Sequence, residues 1–287
     1  MQNIKQYHLH KNDYSKLQLE IKEAQPYCQK NNEHCFKAHQ HSFYQLIWFQ
    51  KAGRHFVDYE LIEHPANTLF FLNRGQVHYF CKKSANEGYL FHFNDLFINR
   101  QVKDSINWLQ YSLFNEIGLP YVCLTEKELP AFHFFTNSLY NEIEEKELNY
   151  QQQLYHLFQA LLLKIERLKQ QELSNWSVTD THFMVAMNFK KSIEVNKNQF
   201  LSIESYSQML GVSSKQLTLA TKKYLKDTPA NIVHKRRILE AKRLLSNTQL
   251  SIKEVAYKLG FDQATYFTKY FKKHTDFTPK AFLQQLP

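Results

Sequence analysis

Histidines and lysines are the residues of this 287-residue chain whose spacing could do chemistry. His39 and His41 stand in a His-x-His pair, which on a strand turns both imidazoles to one face. With His78 supplied by a neighbouring strand, they would make a three-imidazole set acceptable to zinc, iron or nickel. The lysines invite a different chemistry. Lys215, Lys222 and Lys223, then Lys269, Lys272 and Lys273, recur at helical spacing in two segments, and such rows attract phosphates. The sequence holds no nucleophile with a base and an orienting group, and no phosphate-cradling glycine loop, so catalysis is not expected.

The elements that must position these residues fall into two halves of opposite electrostatic character. The chain has 36 Lys and Arg against 27 Asp and Glu, a net charge of +9. Residues 1–175 are nearly neutral, with 18 basic against 19 acidic side chains, and residues 176–287 carry 18 against 8. The whole surplus lies in the last 112 residues, as expected of a domain that meets a polyanion. At 43% apolar residues, the chain can bury two cores, which excludes a disordered protein. No 18-residue apolar run spans a membrane, the start lacks a secretory h-region, and the four scattered cysteines form no disulfide framework. A cytoplasmic protein with reduced thiols is expected.

The basic tail repeats itself. Ser202–Gly211 aligns with Ser251–Gly260 at a shift of 49, and Pro229 with Pro279 at a shift of 50. Each copy reads as a helix capped by serine, a glycine stop and a second helix, the helix-turn-helix arrangement. The second helices are predicted over 213–224 and 263–274, with Leu217, Ala220, Phe267, Tyr270 and Phe271 turned inward. Between the copies, residues 230–245 predict one connector helix after Pro229, with Lys235, Arg236, Arg237, Lys242 and Arg243 adding charge along it.

The run Ser251-Ile252-Lys253-Glu254-Val255-Ala256-Tyr257-Lys258-Leu259-Gly260-Phe261, with Tyr266 to Lys273 and Thr278-Pro279, resembles the signature of the AraC/XylS family of bacterial transcription regulators. The resemblance covers about residues 185–287. It implies a partner in double-stranded DNA, contact with RNA polymerase, a homodimer, and activation in response to a small-molecule effector. It places Lys215, Thr218 and Leu219 of the first unit, and Gln263, Ala264, Thr265, Thr268 and Lys269 of the second, at base-reading positions, with Ser214 a further DNA-binding candidate. Lys222, Lys223, Arg236, Lys272 and Lys273 would hold phosphates. Leu219 replaces a residue that is basic in many members, so the first unit would meet a thymine methyl instead. Asp276 stands in place of the usual glycine near the end of the second helix.

Upstream, short aromatic and β-branched runs predict strands over 43–49, 55–59, 68–72, 77–81 and 89–93, as in a sandwich or barrel. The family's usual companion is a cupin-like barrel, and His39-Gln40-His41 and Asn73-Arg74-Gly75-Gln76-Val77-His78 look like remnants of its two motifs. Gln45 stands where metal cupins have a carboxylate ligand, so the expectation is no metal and no cofactor, with His39, His41 and His78 as weak candidates. Gln45, Trp48, Arg54, His78 and His92 are candidate effector-lining residues, although alternation alone does not say which strand face is interior. In the helical stretch 105–173, Leu154, Phe158, Leu161, Ile165 and Leu168 form a seam, assigned by the resemblance to dimerisation; packing on the chain's own barrel is the alternative.

The expected fold is α+β in two domains. Residues 1–104 form a cupin-like sensing barrel and 105–173 a helical dimerisation segment. Residues 174–184 are the linker, and 185–287 an all-α DNA-binding domain with helix-turn-helix units at 202–224 and 251–274. The leading reading is a sequence-specific transcription regulator modulated by an effector. The alternatives are a metal-dependent cupin enzyme on a DNA-binding tail, and an effector-independent regulator whose barrel only dimerises.

Overall fold

A computed structural model describes residues 4–10, 13, 16–98, 113–114, 120–173, 180–196, 201–247 and 250–285. The chain divides into two compact units, Lys5–Leu173 and Ser174–Pro287, the latter together with Met1–Ile4. The first is rich in sheet and the second helical, an α+β protein.

The sheet-rich unit is built on ten described strands: β1 (Lys5–Tyr7), β2 (Leu19–Glu23), β3 (His39–His41), β4 (Tyr44–Phe49), β5 (Gly53–Val57), β6 (Glu60–His64), β7 (Thr68–Leu72), β8 (His78–Phe80), β9 (Gly88–Phe93) and β10 (Tyr121–Cys123). They form two five-stranded sheets, ordered β1-β3-β8-β5-β6 and β10-β7-β4-β9-β2. The five runs predicted from the sequence correspond to β4, β5, β7, β8 and β9, within two residues at each end. The predicted run 55–59 is corrected at its end. Asp58 and Tyr59 take φ of +50° and +73°, the two-residue loop of a hairpin with β6. That turn lacks the usual Asn-Gly or Asp-Gly marker, which is why the sequence hides β6.

Strand β4 is buried along its whole length because both faces of its sheet are covered. One face sends Ile47 and Phe49 with Phe70, Leu72 and Leu90 toward Val57 and Phe80 of the other sheet. Two short helices, α1 (Ala24–Lys30) and α2 (Asn32–Cys35), add Ala24, Cys28 and Cys35 to that core. The opposite face sends Tyr44, Leu46, Trp48, Leu69, Phe71, Phe91 and Phe93 to a second core with helices. After the short α3 (Asp95–Ile98), those helices are α4 (Leu129–Glu145) and α5 (Tyr150–Leu173).

This second core corrects the reading of the helical seam. Leu154, Phe158, Leu161 and Ile165 are at most 1% exposed and pack with the sheet, and Leu168 lies against the same cluster. Phe158 meets Phe93 at a ring-centroid distance of 4.8 Å and Phe97 at 5.6 Å. The apolar stripe that would serve a second subunit is already covered by the chain's own sheet, whose outer face would otherwise be wet. The segment 105–173 is not wholly helical either, since β10 joins the edge of the sheet beside β7. Residues 105–112 and 115–119 of that segment lie outside the described residues, as do Ser174, Asn175, Ser177 and Thr179 of the expected linker.

The helical unit contains α6 (Thr181–Val195), α7 (Ile203–Met209), α8 (Ser214–Tyr224), α9 (Pro229–Asn247), α10 (Ile252–Lys258), α11 (Ala264–Thr275) and α12 (Pro279–Gln285). The start of α6 at Thr181 falls inside the stretch expected to be linker. The Asp180 side chain caps it by accepting from the His182 N–H.

Truncating Phe158 to alanine should lower the stability of the sheet-rich unit by about 3–5 kcal/mol, through a cavity inside one chain. Chemical denaturation at several protein concentrations checks this. An unchanged midpoint shift across concentrations is expected, whereas one that grows on dilution would return the seam to an intersubunit role.

Candidate functional site

Two regions gather the chemically able residues. In the helical unit, both repeated copies end their first helix in the same way. The Val212 N–H donates to the Ser207 carbonyl at 3.0 Å and the Gly211 N–H to Gln208 at 3.1 Å. The second copy repeats this with Phe261 to Ala256 at 3.0 Å and Gly260 to Tyr257 at 3.0 Å. Gly211 and Gly260 hold φ of +65° and +74°, which lets the chain turn sharply and closes orphan carbonyls of α7 and α10. Two capping boxes stand at non-equivalent places in the copies: Ser213 with Gln216 opens α8, the second helix of the first copy, and Ser251 with Glu254 opens α10, the first helix of the second. Ser202 caps α7 by accepting from the Ser205 N–H. Asp276 adopts the left-handed conformation at the end of α11, with φ of +63°, and so takes over the glycine's backbone role.

Of the residues expected to turn inward on α8 and α11, Leu217, Ala220, Phe267 and Phe271 are completely buried and Tyr270 is half-buried. The outward set is exposed on α8 at Ser214, Lys215, Leu219, Lys222 and Lys223, with Thr218 half-buried. On and before α11 it is exposed at Gln263, Thr265, Lys269, Lys272 and Lys273, with Ala264 and Thr268 half-buried. The Thr218 and Thr268 hydroxyls donate back to the Ser214 and Ala264 carbonyls at 2.8 and 2.9 Å, so both methyl groups and free oxygen lone pairs remain on the helix surface.

Not every basic residue is available. Arg236 is 3% exposed, and its guanidinium donates to Glu194 at 2.8 and 3.2 Å and to Glu240 at 3.0 Å. Its assignment to phosphate is therefore corrected: a buried guanidinium held by two carboxylates is an internal brace. The other connector charges are also engaged. Arg237 lies over the rings of Phe261 and Tyr270 and donates to the Leu259 carbonyl, while Lys235 pairs with Asp227 at 2.9 Å. Lys223 is exposed but salt-bridged to Asp180, whose carboxylate also accepts from Tyr224. The hydrogen bond from Lys223, then that from Tyr224, hold the Asp180 carboxyl well below the usual range. Sequence reasoning missed these acidic partners; only Glu240, one helical turn beyond Arg236, was legible from spacing.

In the sheet-rich unit, a cavity of about 270 Å³ is lined by residues including Tyr7, Glu20, Tyr27, His39, His41, Gln45, Phe80 and His92. Register explains the set. Gln45 lies opposite His92, which lies opposite Glu20 on β2, and His39 pairs with His78. Of the effector candidates, Gln45 and His92 line the cavity. His78 packs behind it, with its ring centroid 4.3 Å from that of His39 and 4.9 Å from that of His41. Trp48 and Arg54 are corrected. Trp48 has the other parity on β4 and is buried beneath α4, and Arg54 points outward to Glu63 at 3.0 Å. Glu20, Tyr7 and Tyr27 were missed, although the alternation Leu19-Glu20-Ile21-Lys22 carried a strand signal.

The cavity wall is a chain of hydrogen bonds. The Gln45 and His92 side-chain nitrogens are 2.9 Å apart, and His92 Nδ1 lies 3.8 Å from Glu20. The His92 hydrogen bond lowers the Glu20 pKa against the opposing effect of burial. With His92 Nδ1–H turned to Glu20, its Nε2 accepts from the Gln45 amide. Gln45 Oε1 is then left buried without a partner. Desolvation pushes His41, His55 and His78 well below the ordinary imidazole pKa, and His39 down to about 4. The cluster is neutral at physiological pH.

Residues 206–285 match a family model described as a helix-turn-helix domain. The probable transcription factor PqrA of Proteus vulgaris is 33% identical over 89 residues, 31% of this chain and 73% of PqrA. The transcriptional activator Btr of Bacillus subtilis is 31% identical over 91 residues, and there the chain spans 32% of itself but only 17% of its relative. Among solved structures, an AraC-type transcriptional regulator from Chromobacterium violaceum aligns at 26% identity with a TM-score of 0.33, covering 36% of this chain and 91% of that one.

Arg236→Ala should destabilise the helical unit by about 2–3 kcal/mol, since the half-buried Glu194 and Glu240 would be left without their cation; thermal or urea unfolding measures it, and a loss confined to DNA affinity would refute the internal role. The sheet-rich unit should lose stability on acidification. Between about pH 6.5 and 4 the unfolded chain binds imidazole protons that the folded unit excludes, so stability is full above pH 6.5 and falls toward pH 4. With a pKa of about 4 in the folded unit, His39 alone accounts for a loss of about 2 kcal/mol at pH 5. Unfolding of wild type and His39→Gln across this window in chelator-treated buffer should show a shallower slope for the variant.

Proposed function

The chain belongs to the AraC-type helix-turn-helix transcriptional regulators, and on that premise we propose that it reads a duplex DNA operator with α8 and α11 under the control of a ligand in its sheet-rich unit. Relatives such as PqrA and Btr are named as transcription factors and activators, so the cavity is read as a sensor site and the catalytic alternative is set aside. The observation that carries the reading is the duplicated device of serine-capped first helix, left-handed glycine stop and exposed basic second helix, with α9 between the copies. At about 1.5 Å per residue, the 19 residues of α9 span about 28 Å. That length suits two second helices entering neighbouring major-groove segments, about 34 Å apart on one face of the duplex.

In this reading the base edges fall to Lys215, Thr218 and Leu219 in one groove and to Gln263, Ala264, Thr265, Thr268 and Lys269 in the next. Lys222, Lys272 and Lys273 hold phosphates, and Lys223 does so only by leaving Asp180. The N-terminal unit is a cupin-like barrel, supported by its two five-stranded sheets around a polar cavity. An effector there acts by preferring the DNA-competent state, to the extent of its differential affinity. Two copies acting as a homodimer would meet through a surface other than the buried α5 seam, and contact with RNA polymerase completes an activator's role. Among the described residues no helix is long and apolar enough to cross a membrane, in keeping with a site of action on cytoplasmic DNA.

Selection of bound sites from random duplexes with the full chain should return a motif with two read segments spaced by one helical turn. On that motif Lys269→Ala should cost about 1–3 kcal/mol of discrimination at one base step. Lys273→Ala should weaken specific and scrambled duplexes alike and reduce the salt slope by about one unit. Equal losses on both duplexes for Lys269→Ala would reject its place at a base edge.

A further inference from the structure

We propose that His39, His41 and His78 form a binding site for a divalent transition ion of borderline softness, such as zinc, cobalt or nickel, at the inner wall of the sheet-rich unit's cavity. The proposal does not rest on the DNA-binding reading, because it concerns ring nitrogens within one unit. It also runs against the expectation drawn from Gln45, which treated the missing carboxylate as decisive.

Geometry comes first. One ring nitrogen from each of the three histidines lies within 4.8 Å of the others, and all three residues are buried. A point therefore exists no more than about 2.8 Å from all three nitrogens, so closing to the 2.0–2.1 Å of a zinc–imidazole bond needs shifts of about 0.7 Å. The three rings come from paired strands, His39 and His41 on β3 and His78 opposite His39 on β8, so the backbone already sets their spacing.

The hydrogen-bond pattern points the same way. His39 Nδ1 is 2.8 Å from the Lys37 carbonyl and must donate to it, which leaves Nε2 as a bare lone pair. His78 Nδ1 faces His55 Nε2 at 3.3 Å, and its own Nε2 is buried without a partner. Both ring nitrogens of His41 are buried without a partner. Buried, unpartnered nitrogens on His41 and His78 beside the lone pair of His39 are a costly arrangement for a ligand-free core, and a shared cation removes the cost. The outer partners of His39 and His78, a carbonyl and another imidazole, are the kind that fix a metal-binding tautomer.

Gln45 changes the site's charge rather than abolishing it. Its Oε1 is buried, unpartnered and part of the cavity lining, while its amide nitrogen is committed to His92. Three neutral imidazoles and a neutral amide supply no negative charge as ligands, and the carboxylate of Glu20 in the same cavity lining is the charge that offsets the ion. His39 and His41 line the open cavity, so the remaining coordination position faces a space that can admit a small oxygen-donor ligand.

The test uses untagged full-length protein stripped with a chelator and titrated with Co²⁺. One equivalent should bind and produce the visible d–d absorption of a four- or five-coordinate ion, bleached by Zn²⁺. X-ray absorption at the cobalt edge should count three imidazole nitrogens, a readout that needs no variant. His39→Gln, His41→Gln and His78→Gln should each weaken Co²⁺ binding by about tenfold or more, with circular dichroism checking that the fold is kept. His133→Gln, on the exposed side of α4, should bind as wild type. An absence of Co²⁺ absorption in wild type, or a bound ion with one imidazole or none, overturns the proposal and leaves water as the partner of these nitrogens.

Discussion

Burial of both faces of β4 is the constraint on which the sheet-rich unit depends. Because every side chain from Tyr44 to Phe49 is enclosed, parity along the strand decides between two environments. Tyr44, Leu46 and Trp48 meet the helical layer, where α5 supplies Phe158 and its neighbours. Gln45, Ile47 and Phe49 face the other sheet, and there the polar exception, Gln45, sits at the cavity. A slip of one residue would place Trp48 in the cavity and Gln45 beneath a helix, with a buried amide unsatisfied. The register that keeps the core dry therefore also builds the polar pocket.

The same economy governs the helical unit. Its positive charge divides into two populations with different partners. Arg236 and Arg237 are drawn into the interior by carboxylates, aromatic faces and a carbonyl, and there they brace α9 against its neighbours. Lysines of α8 and α11 stay on the exposed faces, where a compact, strongly hydrated ammonium is at home. Planar, weakly hydrated guanidinium suits the interior, so the distinction follows from side-chain chemistry.

Histidines show how burial sets the chemical state. Enclosure holds His39, His41, His55 and His78 neutral, so they stand as hydrogen-bonding and ligating groups rather than as charges. Glu20 keeps its charge beside them because His92 donates to it. The cavity thus combines one anchored carboxylate with lone pairs of neutral rings, a surface made to recognise something more polar than the aromatic residues around it.

By itself the sequence determined the duplicated helix-turn-helix, its serine caps, its glycine stops and the inward faces of its second helices. All of these are local: capping, left-handed backbone and a 3.6-residue period act within a few neighbouring positions. It determined five strands and the His-x-His pair for the same reason. Only the tertiary structure decided which face of β4 is the pocket, because alternation marks two faces and does not rank them. It also decided that the α5 seam is spent on its own sheet, since an apolar stripe is equally at home against any apolar surface. Arg236 shows the same limit, for the carboxylate of Glu194 lies far off in sequence and reaches the guanidinium only once the helices have packed.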